Sequence, residues 1–184
     1  MPSSRLLTST DWPEAELRAA VLAGELVPVG SCWTSVAEAQ VPSLRAEAWA
    51  VDVPDRRLVA CGGSAAWIWG GRSCAPEPAE AAASLGIRVA DVATVRVRQV
   101  RIGPEDTVAL DGVRVTTPVR TVVDLLRAIG DLDPDAADAV RGLFAVGATE
   151  PEAVLAALDA LGTVPMVRQA ARRLDALLDA PLGG

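Results

Sequence analysis

The chain has 184 residues, 51% of them hydrophobic and 22% charged, with a net charge of −7. That length allows one large or two small domains, and the apolar fraction makes the chain globular rather than disordered. All 17 basic residues are arginine; lysine, histidine and tyrosine are absent. Without histidine there is no histidine general base, no Ser-His-Asp or Cys-His nucleophile and no histidine-held metal. Without lysine there is no phosphate-loop lysine and no Schiff base. Cys32, Cys61 and Cys74 are far apart and odd in number. They indicate neither zinc nor a disulfide framework, but small buried side chains in a reducing cytoplasm. No long apolar run follows Met1-Pro-Ser-Ser-Arg5, so no signal peptide is expected, and no window approaches the ~20 apolar residues that span a bilayer. The expectation is a cytoplasmic protein with no membrane partner, no cofactor and no metal.

Charge is uneven. Residues 1–40 sum to −3, 41–94 to −1, 95–127 to +2 and 128–184 to −5. Only the 95–127 segment leans toward the basic face that nucleic acid requires.

In chain order, Pro13 to Ala23 reads as a helix, with a proline in the first turn, Glu14 and Glu16 at the positive dipole end and Gly24 as stop. A hairpin follows: Leu26 to Val29, a Gly30-Ser31 turn, then Cys32-Trp33-Thr34. A helix followed at once by a hairpin is the second half of a winged helix-turn-helix, which sets the helix in the major groove and the hairpin tip on the backbone. The same pattern also suits a plain helix–hairpin packing unit. Too few residues precede Pro13 for three helices, unless Leu6 to Trp12 makes a short turn. The helix start is acidic and the tip, Pro28-Val29-Gly30-Ser31, carries no arginine for phosphate.

Val36 to Val51 reads as helix broken by Pro42, with Leu44, Ala48 and Val51 on one face. Pro54-Asp55-Arg56-Arg57 is a turn. Leu58 to Cys61 leads to Gly62-Gly63-Ser64, where Ser64 is placed to cap a short helix from Ala65 to Trp69 that Gly70-Gly71 ends. That Gly-Gly-Ser start offers amides to an anion, though it is far from any phosphate-loop pattern. Ala81 to Leu85 reads as a helical turn. Strands are expected at Ile87–Val89, Thr94–Ile102, Thr107–Leu110 and Val113–Val115, with Asp111-Gly112 as a hairpin turn. Arg96, Arg98 and Arg101 alternate or nearly alternate with valines, which puts an arginine-bearing sheet face in solvent.

Gly112 to Arg127 is a strand that turns directly into a helix. Thr117 caps, Pro118 takes the first helical position, and Val119, Val122, Val123 and Leu126 form one apolar face. Arg120, Asp124 and Arg127 lie opposite, at spacings that let the aspartate pair with both arginines. Three helices close the chain: Pro134 to Phe144, Glu150 to Leu161 capped by Thr149, and Val164 to Leu178 with Arg168, Arg172 and Arg173 outside. The fold class is therefore α+β: a winged-helix-like unit at residues 1–40, then residues 41–184 with a small, mostly antiparallel sheet and a C-terminal helical bundle.

Four features together resemble the AbiEi-type antitoxin family of bacterial type IV toxin–antitoxin systems. They are Leu7-Thr8…Glu16-Leu17-Arg18…Gly24-Glu25-Leu26, then Gly63-Ser64-Ala65-Ala66-Trp67-Ile68-Trp69-Gly70, then Gly112 to Leu125 with its Thr116-Thr117-Pro118 core, and the closing helices. The resemblance implies a winged-helix domain that binds the protein's own operator and represses its operon. It also implies a C-terminal domain that counters a nucleotidyltransferase-type toxin. On that reading Arg5, Thr10 and Arg18 touch phosphate or base, with Arg96, Arg98 and Arg101 as auxiliary contacts. Ser64, Trp67, Thr117, Pro118, Arg120 and Asp124 carry the structural motifs. The competing expectation is a non-catalytic protein-interaction module with the same fold, recognisable by a toxin-like partner or a homodimer. An enzyme built on carboxylates such as Asp124 needs paired acids in a pocket, and no spacing indicates one.

Overall fold

Proline, threonine and glycine set the ends of most elements, and the computed structural model, which describes residues 6–86 and 94–179, places them accordingly. Pro13 precedes α1 (Glu14–Leu22), and Gly24, with φ +74°, ends it. Strands β1 (Leu26–Val29) and β2 (Cys32–Ser35) form the antiparallel hairpin around Gly30, and Leu7 adds a single bridge to Trp33. Leu6 to Trp12 is thus an extended residue and a turn, and the described front unit has one helix and a ribbon.

The helix expected from Val36 begins only at Pro42: α2 is Pro42–Asp52, and residues 36–41 are turn and irregular chain. Proline lacks the N–H that an interior position must donate, so it opens the helix instead of continuing it. Leu44 and Ala48 are buried as expected, with Trp49, whereas Val51 is exposed. After α2 come β3 (Val59–Ala60) and α3 (Gly62–Ile68).

The alanine run expected as a helical turn is instead β4 (Ala79–Ser84). Alanine favours helices by propensity alone. Here Ala81, Ala82 and Ala83 are buried inside a sheet, and the small side chains of Ala81 and Ala83 join the core that holds α3. The remaining strands are β5 (Val95–Val100), β6 (Thr107–Leu110) and β7 (Val113–Thr116). The expected strand Ile87–Val89 lies outside the described residues. The five-stranded sheet runs β5-β4-β3-β7-β6. Its β3–β4 and β6–β7 pairs are antiparallel; β4–β5 and β3–β7 are parallel.

Four helices follow among the described residues: α4 (Pro118–Leu126), α5 (Pro134–Ala145), α6 (Pro151–Leu161) and α7 (Val167–Asp179). The helix α6 is preceded by Glu150, with no side-chain cap; Thr149 is buried one residue earlier and does not cap it.

Strand periodicity sorts the side chains onto two sheet faces. Ala60, Ala81, Ala83, Val113 and Val115 join the main core with α2, α3 and residues Leu6, Val29 and Cys32 of the front unit. A second core joins Ala66 of α3 to α4, α5, α6 and α7. The opposite sheet face carries only a small cluster of Val59, Cys61 and Ala82, with Val100 and Ile102 packed against it. The fold is α+β, with the front hairpin sharing a core with the body that follows it.

Candidate functional site

The front unit exposes its helix. Leu17 is the buried residue of α1, while Leu22 and Trp12 stand in solvent. Arg18 is exposed and bonded one turn back to Glu14 at 2.7 Å. Thr10 sits in the turn before α1, its hydroxyl 2.6 Å from that of Thr8, and Asp11 accepts from the Thr8 amide and hydroxyl. Arg5 lies outside the described residues. The hairpin tip does not project. Ser31 donates to Asp52 of α2 at 2.7 Å, and Gly30, at φ +60°, sits over the Trp67 ring so closely that a Cβ would lie 3.3 Å from it. Trp67 is buried, and the Arg45 guanidinium covers its ring at 5.7 Å while donating to the Trp67 carbonyl at 2.7 Å. Trp67 is therefore the seat that fixes the hairpin to the body.

Sequence reasoning missed Glu80. Its carboxylate accepts from the Gly63 amide at 2.6 Å, at the start of α3, where an external anion was one option. Gly62, at φ +53°, leaves the space that the carboxylate fills, and a Cβ there would collide with it. The other oxygen of Glu80 faces Arg96 at 3.2 Å and Arg98 at 3.5 Å. Ser64 is not a cap: α3 starts two residues earlier, and the buried Ser64 hydroxyl accepts from the Glu80 amide at 2.8 Å. The expected arginine face is thus reduced to Arg96 and Arg98, which share one carboxylate on β5, while Arg101 lies one residue past the end of the strand. Arg101 has no ion pair among the described residues.

The strand-to-helix handover behaves as its residues predict. The Thr117 hydroxyl accepts from the Arg120 amide at 3.2 Å, and Pro118 opens α4. Beneath it, the Thr116 and Thr121 hydroxyls meet at 2.7 Å in the core, and Trp69 donates to the Thr116 carbonyl at 2.8 Å. Arg120 binds both oxygens of Asp124 at 2.9 Å and reaches Asp106 at 2.9 Å. Burial works against the Arg120 charge, but the two carboxylates outweigh it and hold the guanidinium above its ordinary value. Burial pushes the Asp124 carboxyl up, and Arg120 only partly reverses this.

Arg127 was expected to pair with Asp124 as well; it donates instead to the Pro165 carbonyl at 3.2 Å. The expected solvent position of Arg173 is also corrected. It donates to the carbonyls of Leu126 at 2.7 Å and Ala128 at 2.8 Å, and to Gly130, closing the C-terminal end of α4. Neither partner can be read from spacing, because both lie more than thirty residues away.

These elements enclose a cleft of about 1020 Å³ over the thinly covered sheet face. Its walls include Arg98 and Arg101 of the β5 side and Arg120, Asp124 and Arg127 of α4. Cys61 is on its floor, and burial, reinforced by the Glu80 charge, raises the thiol to about 12, so it is protonated at neutral pH. Among the described residues no cluster of three His, Cys, Asp or Glu could hold a metal, and no helix is long and apolar enough to cross a membrane.

No family model matches the chain, and no curated protein is similar to it. Among solved structures it is similar to the RV2827C protein from Mycobacterium tuberculosis. That alignment has 20% identity, covers 95% of this chain and 71% of that one, and has a TM-score of 0.49.

Proposed function

We propose that this chain is an AbiEi-like antitoxin and DNA-binding regulator of its own type IV toxin–antitoxin operon, acting in the cytoplasm by binding rather than catalysis. The observation that carries the reading is the exposed α1 joined directly to the β1–β2 ribbon, seated on the element that holds Trp67. This is the helix-and-wing order that the resemblance places ahead of the Thr-Thr-Pro handover. Because the tip is docked, DNA contact falls to α1, the Thr8–Thr10 turn and Arg18. The test is a gel shift on DNA upstream of the gene at low salt. Binding is expected, and Arg18→Ala should lower the salt slope by about one. Absence of binding at micromolar protein rejects the DNA role.

A second reading, a protein-interaction module that has lost DNA affinity, is favoured by charge. Residues 6–40 hold five acids and one arginine, and that arginine is engaged by Glu14. Its expected signature is co-elution with the nucleotidyltransferase-type toxin, or a homodimer, in the absence of a gel shift.

A further inference from the structure

We propose that the cleft between β5 and the C-terminal end of α4 binds a small organic anion, a carboxylate or phosphate head on an aliphatic body. The cleft's size, about 1020 Å³, is at the upper end of ligand sites. Its charges do not cancel. Four arginines, Arg98, Arg101, Arg120 and Arg127, line it against three carboxylates, Glu105, Asp106 and Asp124, and Arg120 bridges the two aspartates. Arg98 shares Glu80 with Arg96. Arg101 then has no hydrogen-bond or ion-pair partner among the described residues. Arg127 donates to the Pro165 carbonyl and acts on Asp124 through its charge alone, and its Nε is a buried donor with no hydrogen-bond partner. A buried unmet donor costs free energy that an anionic acceptor would recover. Glu105, exposed at the edge, is the one lining carboxylate with no cationic partner among the described residues. The surplus is therefore positive, in a chain whose net charge is −7.

The rest of the lining selects for an apolar body. Val100 and Ile102 come from the sheet side, Leu125 and Ile129 from the end of α4, and Leu161 and Val164 from the end of α6. Ile129 is 91% exposed, a large apolar side chain at the site that a bound aliphatic chain would cover. Apolar walls with a few convergent guanidinium groups match an amphipathic anion better than a fully charged one.

The test is isothermal titration of the intact chain with decanoate and decyl phosphate, and with inorganic phosphate and decanol as head-only and tail-only probes. One site per chain is expected for at least one of the two amphipathic anions, and the tighter of them identifies the head group. The single-part probes should bind at least about tenfold more weakly. Arg101→Ala, at an exposed position, should weaken binding about tenfold with an unchanged melting temperature, and Arg101→Lys should restore most of it. Ile129→Asp should also weaken it, and Arg56→Ala, outside the cleft, should not. The proposal is overturned if neither amphipathic anion binds, or if Arg101→Ala binds as tightly as the parent. Ile129→Asp touches none of the expected DNA contacts and leaves the gel shift unchanged whichever way the DNA question falls, whereas Arg101, an expected auxiliary DNA contact, is read by anion titration in the absence of DNA.

Discussion

Arg18 on α1 and Arg120 on α4 each face an acid one helical turn away, yet the two regions treat the same spacing differently. Arg18 and Glu14 meet at 2.7 Å with side chains 74% and 55% exposed. Arg120 and Asp124 meet at 2.9 Å with side chains 19% and 26% exposed, and Asp106 adds a second carboxylate. In water the first pair is worth about 0.3–0.5 kcal/mol, since solvent screens the charges and two long side chains lose freedom. In the second, removing the cation strands two partly buried carboxylates, and that penalty exceeds any attraction an exposed pair supplies. The front unit is thus an exposed, lightly bonded helix, and the handover into α4 is a densely satisfied one.

The strongest way to break this contrast is to remove the residue that joins the two regions. Trp67→Ala should cost about 3–5 kcal/mol in urea denaturation, because it empties a buried ring site and takes away the seat of the hairpin tip. Hydrogen exchange should then rise first at residues 29–33. Equal loss of protection across the whole chain would refute the seat.

Arg120→Ala comes next, at about 3 kcal/mol, and it carries a pH signature. The Asp124 carboxyl lies above its ordinary value of 3.8 because burial disfavours its charge. A carboxyl raised in the folded state binds its proton more tightly folded than unfolded. Its contribution is therefore most favourable in acid and declines as pH rises through the raised value. Loss of Arg120 raises Asp124 further, so the variant should regain part of its deficit as pH falls from neutral toward 3.8. A deficit that stays constant or grows over that range would show that the carboxylates are not what the arginine holds.

Arg18→Ala should be the mildest change, under about 0.5 kcal/mol at any salt concentration. A loss above about 1 kcal/mol would erase the distinction between the regions.

Much of the architecture was legible from residue order, including α1 and its hairpin, the β6–β7 turn at Asp111-Gly112, and the capped start of α4. Prolines, glycines and hydroxyl caps act on backbone within a turn of themselves, so their effect survives without tertiary context. The candidate cleft was only partly visible. Arg98, Arg101, Arg120 and Asp124 were each singled out, but nothing in their spacing showed that they line one space. Glu80 was missed because it reads as one acid in a loop, and its partners come from α3 and from a strand sixteen residues on.

The amino-acid order by itself determined the α+β class, the element boundaries near strong punctuation, and the exclusion of histidine and lysine chemistry, because each depends on local geometry or on composition alone. Tertiary structure alone decided that an alanine run becomes a buried strand, that the hairpin tip turns inward onto Trp67, and that Arg173 closes α4 instead of facing water. In each case the deciding free energy comes from groups distant in sequence, through burial of small side chains, a ring under a glycine, or carbonyls left open at a helix end.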